Sequence, residues 1–299
     1  MQQHIPTRTL GAWKTAIRVR TLPIPTIQVI AGSALAYITL GHLNPLMFLY
    51  TLLVAVLITI GTNLINDVYD FDKGGDHITH TGRVKVLRAG LLKRTEVFAG
   101  GVTTLMAAVI LSIPLSIHAS PWITPVVALS ALCGFLYTGG PFPIAYLGLS
   151  EIFVFAFYGG VCVLSTYYIQ VGQLADDAWL LAAQMGLLAI LPNAINNFRD
   201  MVEDAAVNKK TLAVRFGKTF ARWEIGICTF LPFVLNFYWV SFDQVGAALF
   251  PFILLPLAFL FVKTLWFTEP GAVFNRFFAL GIFIHFLFAF LLFVGWVLK

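Results

Sequence analysis

The chain has 299 residues, of which 59% are hydrophobic and only 11% charged, with a mean hydropathy of +0.86. A soluble domain carries about 25% charged residues, so a water-soluble globule is excluded and the apolar runs need lipid as their solvent. The net charge of +5 is not a nucleic-acid signature, because the positions of its basic residues follow membrane topology.

A hydrocarbon core about 30 Å thick takes roughly 20 helical residues at 1.5 Å rise. Nine runs have that character, near 24–41, 46–66, 97–118, 121–137, 149–170, 178–195, 223–241, 246–267 and 276–298. The first has a charged lead-in but nothing that reads as a signal-peptide cleavage site after it, so it counts as a span. Barrel strands alternate apolar and polar residues, whereas these runs are apolar throughout. The expected fold is an all-α bundle of nine transmembrane helices forming one domain over residues 1–299.

If nine spans alternate, every Lys and Arg except Lys299 falls on one side. The positive-inside rule makes that side cytoplasmic and places the N-terminus there, as expected for a protein of a bacterial inner membrane. The three cysteines, Cys133, Cys162 and Cys228, lie inside spans without metal-ligand spacing and read as small apolar packing residues. His77 and His80 read as polar loop surface, and His285 as a hydrogen-bonded packing residue of the last span. Apart from His285, the span interiors offer no ionisable group.

The second span ends in Asn63, Asn66, Asp67 and Asp70, which share one helix face at three- and four-residue spacing. Gly74-Gly75 then ends the helix and lets Asp76 fold back. The sixth span ends alike in Asn196, Asn197, Asp200 and Asp204. Carboxylates at the C-termini of apolar helices repel one another and oppose the macrodipole, so something positive must compensate. Ligands that are only carboxylate and amide oxygen point to Mg²⁺, which is held by one or two carboxylates with substrate phosphate completing the shell. Two such clusters facing each other would hold two ions with a diphosphate between them. A competing reading makes each cluster a solvated helix cap paired with nearby cations; the recurrence at matching positions favours the ion site.

Arg83 and Lys85 follow the first cluster, and Lys209 and Lys210 the second. A diphosphate leaving group needs cations where its charge develops. Between the fourth and fifth spans, Tyr137 to Glu151 form a nearly uncharged, Gly- and Pro-rich shaped turn. Glu151 is an acid near a span start with no local basic partner, and both packing and substrate contact stand open for it.

Asn-Asp-x-x-Asp with a following Gly-x-Asp at 66–76, and Asn-Asn-x-Arg-Asp-x-x-x-Asp with Lys-x-Thr-Leu-x-Val-Arg-x-Gly at 196–217, resemble the UbiA superfamily of membrane prenyltransferases. Within it the likeness is to the 1,4-dihydroxy-2-naphthoate polyprenyltransferases, and it includes Trp13, Arg18-x-Arg20-Thr21-Leu22-Pro23 and the Tyr137–Glu151 turn. The resemblance implies a central cavity open to the cytoplasm and to lipid. It implies that Asp67, Asp70, Asp76, Asp200 and Asp204 hold Mg²⁺–diphosphate, with Asn63 as further ligand or support. It also implies transfer from a polyprenyl diphosphate to an aromatic acceptor, dihydroxynaphthoate, with loss of CO₂. Arg18, Lys85 and Glu151 are its candidates for contact with that acceptor. Three departures stand out. Lys85 stands where Arg is common, which keeps the charge and loses the bidentate fork. Asn208 stands where Gly is common, and Asn tolerates the left-handed turn. Gly74 stands in place of a third aspartate, which leaves Asp72 or Asp76 to supply it. Two rivals remain open: the same chemistry on 4-hydroxybenzoate, haem or a chlorophyll precursor, and a divalent-cation or phosphate transporter.

Overall fold

The structure is a computed structural model, which describes residues 10–74, 85–141 and 143–298. All regular elements among the described residues are helical. Eight helices are long and apolar enough to cross a membrane: Val19–Leu40, Pro45–Asp72, Arg94–His118, Ser150–Val171, Asp176–Arg199, Leu212–Phe242, Val245–Trp266 and Phe274–Leu298. A ninth apolar helix, Ile123–Leu136, is shorter and stands where the fourth span was expected. Its apolar run is trimmed by turns at Ser120–Trp122 and after Leu136. Counting it as the fourth, the spans are numbered first to ninth below.

Local chemistry sets several boundaries. Asn44 caps the second span, its side chain accepting from the N–H groups of Leu46 and Met47 ahead of Pro45, a favoured N-terminal arrangement. Gly74, at φ +74°, ends that span as expected; Gly75 and Asp76 lie outside the described residues. Asn208 does adopt the left-handed turn, with φ 56°.

The seventh span departs from expectation. It begins at Leu212 rather than near 223, capped by Thr211 Oγ1 accepting from Val214 N–H. Its first turns carry Arg215, Lys218 and Arg222 and so lack an apolar signature, and Gly217 at φ 82° and ψ −179° kinks them. Glu224 thereby sits inside a span, half-buried, an intramembrane carboxylate that the apolar pattern concealed.

The sixth span is the axis of the bundle. It buries 72% of its apolar window, against 28% for the third and fifth spans. Leu181, Met185, Leu188, Leu191, Ile195 and Phe198 form its buried side, in one cluster with residues of the first, fifth, seventh, eighth and ninth spans. His285 of the ninth span is fully buried, as expected of a packing residue, but neither ring nitrogen has a hydrogen-bond partner among the described residues.

Nine residues of the fifth span, Phe155–Val163, form a π-helix, a rare geometry often found at functional sites. It brings Phe157, Tyr158, Val161 and Cys162 onto one internal wall. Gly159 anchors it to the sixth span; a Cβ there would stand 2.4 Å from the Ala182 carbonyl oxygen and 2.7 Å from Gly186 Cα. Because both neighbours are backbone, Gly159→Ala is expected to cost roughly 1–3 kcal/mol by overpacking. A lowered thermal midpoint of the detergent-purified variant checks this.

Candidate active site

A cavity of about 1100 Å³ opens inside the bundle at its basic end. Its mouth is polar and its depth is not. Arg18, Asn66, Asp70, Lys85, Asp200, Asp204 and Lys209 line the mouth, while Ile58, Thr59, Phe153, Phe157, Tyr158 and Val161 line the deeper part. Thr59 lies about two helical turns below Asp67 on the same helix, which sets the depth of the apolar chamber. Tyr158 and Thr59 join their hydroxyls there at 3.2 Å.

The two acidic clusters meet across this mouth, but not as bare carboxylates. Arg18 donates through Nη2 to Asp67 Oδ1 at 2.7 Å and also to Asn66 Oδ1. Asp67 itself is buried behind Asn66. Arg18 holds a left-handed backbone (φ 56°, ψ 57°), which costs roughly 1–2 kcal/mol for a residue with a Cβ and is offset by those bonds. Asn63 lines the cavity while its amide donates to Ile17 O at 3.2 Å and Thr21 Oγ1 at 3.0 Å, tying the N-terminal segment across the mouth. Asp70 accepts from Tyr146 Oη at 3.1 Å and stands 3.9 Å from Lys85 Nζ. Asp72 turns away into a two-bond pair with Arg94, at 2.7 and 2.5 Å, and is not among the residues that line the cavity.

The second cluster is bent rather than continuous. The sixth span ends at Arg199, Asp200 caps it with φ −95° and ψ 8°, and Asp204 rides on the short helix Met201–Ala206. Arg199 grips Asp200 with two bonds of 2.6 Å and reaches Asn275 Oδ1 of the ninth span at 2.8 Å. Lys209 donates to Asp204 Oδ1 at 3.1 Å, and the buried Asp204 Oδ2 has no hydrogen-bond partner among the described residues. Burial raises the Asp204 carboxyl pKa; Lys209 draws it down, but Asp200 and Asp70 push it up again. Burial also works against charge on Lys209, and Asp204 with Asp70 overcomes it, so that pKa is raised. Among the described residues, no three carboxylate, His or Cys groups converge into a metal cluster; Asp67, Asp70, Asp200 and Asp204 each have a cation of the chain beside them.

Other expected residues divide. Tyr137, Asn196 and Asn197 line the cavity. Lys210 does not, for its side chain is exposed and it is its backbone that is engaged, the N–H donating to Tyr146 O at 3.1 Å and the carbonyl accepting from Arg215 Nε at 3.1 Å. Glu151 is buried behind the wall rather than in it. Asp76, His77, His80 and Arg83 lie outside the described residues. Cys162, expected to be packing, lines the cavity. The residues that motif spacing missed are Tyr146, Asn275 and Phe278. Tyr146 also carries Lys73 Nζ 4.0 Å over its ring, and its place in the Gly- and Pro-rich turn was the one available signal.

A match to the UbiA prenyltransferase family model spans residues 26–287. The chain belongs to the UbiA prenyltransferase family. It is therefore an integral membrane prenyltransferase, and the transporter reading falls. The chain is 33% identical over 217 residues to the 1,4-dihydroxy-2-naphthoate octaprenyltransferase of Escherichia coli, covering 71% of this chain and 70% of that one. It is 33% identical over 212 residues to the Mycobacterium tuberculosis protein of the same name, covering 70% and 71%. Its fold matches a UbiA homologue from Archaeoglobus fulgidus bound to GPP and Mg²⁺, with a TM-score of 0.60, 12% identity, and 95% and 99% of the two chains covered.

Proposed function

We propose that the protein transfers a polyprenyl group from polyprenyl diphosphate to 1,4-dihydroxy-2-naphthoate, releasing diphosphate and CO₂ and yielding demethylmenaquinol. The observation that carries this reading is the division of one cavity into a charged mouth and an aromatic-walled apolar chamber. The acceptor follows from the names of the relatives.

The donor set at the mouth fits Mg²⁺. Asp70, Asp200 and Asp204 with Asn63 and Asn66 present only hard oxygens and amides, and the unpartnered Asp204 Oδ2 is an acceptor awaiting a cation. Asp67 lies one residue behind, and Asp76 completes the proposed set. Mg²⁺ bound there would neutralise the diphosphate and make it a better leaving group. Arg18, Lys85 and Lys209 bind diphosphate oxygens and hold the charge that develops as the C–O bond breaks. The carbon chain leads down into the chamber, where the rings of Tyr137, Phe153 and Phe157 present π faces to the allylic cation and the apolar walls exclude water. The electron-rich naphthoate ring then attacks the allylic carbon. The excess of basic residues at this end places the mouth on the cytoplasmic side of a bacterial plasma membrane.

The test offers purified protein a polyprenyl diphosphate, Mg²⁺ and both dihydroxynaphthoate and 4-hydroxybenzoate. The expected product is the prenylated, decarboxylated naphthol, abolished by EDTA and restored by added Mg²⁺. Prenylated hydroxybenzoate instead would replace the acceptor and keep the chemistry.

A further inference from the structure

The three residues expected to meet the aromatic acceptor are not placed to receive its carboxylate. Arg18 is bonded to Asp67 and Asn66, Lys85 stands 3.9 Å from Asp70, and Glu151 is buried outside the cavity lining. Among the described residues six basic side chains line the cavity: Lys14, Arg18, Arg20, Lys85, Arg199 and Lys209. Four of them have an acid beside them, in the pairs Arg18–Asp67, Lys85–Asp70, Arg199–Asp200 and Lys209–Asp204. Lys14 and Arg20 are different. Both reach the same cavity, yet neither side chain makes a hydrogen bond or ion pair with any described residue.

The backbone that carries these two cations is held in place. Lys14 lies on the short helix Leu10–Ala16 and Arg20 in the single turn Val19–Thr21 that follows. Ala12 and Ala16 are fully buried in one cluster with Leu64 and Val68 of the second span and Val97 of the third. That packing leaves Gly11, Lys14 and Thr15, at three- and four-residue spacing, along the cavity. The Asn63 amide bonds Ile17 O and Thr21 Oγ1, one on each side of Arg18 and Arg20 in the chain. Val19, Ile24 and Pro25 add apolar lining next to Arg20. One fixed segment thus presents two uncompensated cations and an apolar strip, apart from the acidic helix ends proposed to hold the donor.

We infer that Lys14 and Arg20 form the subsite for the carboxylate of the aromatic acceptor, an inference that rests on the prenyl-transfer reading above. An aromatic carboxylate is ionised at neutral pH and needs cations not already spent on acids of the chain. Arg20 offers its planar fork to both carboxylate oxygens, and Lys14 adds a point charge. The ring then lies against Val19, Ile24 and Pro25. Both cations are exposed, so the subsite stands at the open mouth, where an acceptor arriving from the water side is met first. It keeps the two anions of the reaction apart, the diphosphate between the second and sixth spans and the acceptor on the N-terminal segment. It also favours a carboxylated acceptor over its neutral counterpart, a choice that apolar walls do not make strongly. Membrane topology is the obvious competitor, since exposed Lys and Arg at this end satisfy the positive-inside rule without touching a substrate.

The experiment measures kcat and the KM of each substrate for wild type, Lys14→Gln, Arg20→Gln and the double variant. It uses the full chain in lipid nanodiscs with Mg²⁺ and a polyprenyl diphosphate. Two acceptors are compared, dihydroxynaphthoate and 1,4-dihydroxynaphthalene, which is the same ring without the carboxylate and is read as a competitive inhibitor if it does not react. The expected result is a KM for dihydroxynaphthoate about tenfold higher in each single variant, the loss of one charge-assisted hydrogen bond, and higher again in the double. The KM for the diphosphate and the affinity for dihydroxynaphthalene are expected to stay at their wild-type values. Lys14→Arg and Arg20→Lys, which keep the charge, are expected to retain most of the affinity for dihydroxynaphthoate. An unchanged KM for dihydroxynaphthoate in the double variant assigns both cations to topology and overturns the subsite alone. An equal loss for the diphosphate, or for the ring without its carboxylate, overturns it as well, being the pattern of a general disturbance of the mouth. No transfer by wild type to dihydroxynaphthoate overturns the functional reading and the subsite with it.

Discussion

Asp200→Ala is expected to lower prenyl transfer by about 100-fold or more, since removing a preorganised charge or metal support commonly costs that much. The carboxylate lines the mouth and is held by two bonds from Arg199, which also reaches Asn275. Its loss frees Arg199 and removes one of the two faces between which the diphosphate is proposed to sit. A second readout separates binding from misfolding. A non-reactive polyprenyl diphosphate analogue with Mg²⁺ should raise the thermal midpoint of wild type by mass action and leave that of Asp200→Ala unmoved. If the variant is stabilised as wild type is, Asp200 does not take part in holding the donor.

Lys209→Met should damage both transfer and stability. Lys209 is largely buried, donates to Asp204, and lies within electrostatic reach of Asp70. Removing it leaves Asp204, which already has one buried oxygen without a partner, as an uncompensated charge, a loss on the order of 3–5 kcal/mol. The double variant Lys209→Met, Asp204→Asn is expected to recover most of the thermal midpoint and none of the transfer rate. Recovery of both would assign the pair to packing. The raised pKa of Lys209 fixes the sign of its own pH dependence: the contribution of the Lys209 charge is present below the ordinary lysine value and is lost only as pH climbs through the raised one. Thermal melts across neutral pH should therefore show no step from this residue.

Much of the site was legible because its chemistry is local. Asn63, Asn66, Asp67 and Asp70 share a face by helical spacing alone, and the structure places Asn63, Asn66 and Asp70 on the cavity with Asp67 just behind. The left-handed turn at Asn208 followed from the tolerance of that residue type. Asp72 was not assignable the same way, since its partner Arg94 stands at the start of another helix. Glu224 escaped notice because the basic first turns of the seventh span look like loop in an apolar scan, and only the Thr211 cap and the helix that follows show otherwise.

Composition and periodicity alone determined a membrane-spanning helical bundle, since lipid leaves a chain this apolar no way to satisfy its backbone except within helices. The order and spacing of two acidic helix ends likewise pointed to the kind of ligand proposed above. Tertiary packing decided which residues line the cavity. It drew Asn275 and Phe278 of the ninth span into the lining, turned Lys210 outward and set Glu151 behind Ser150 and Asn197. Such choices depend on how helices distant in sequence rotate against one another, and no single helix carries that information.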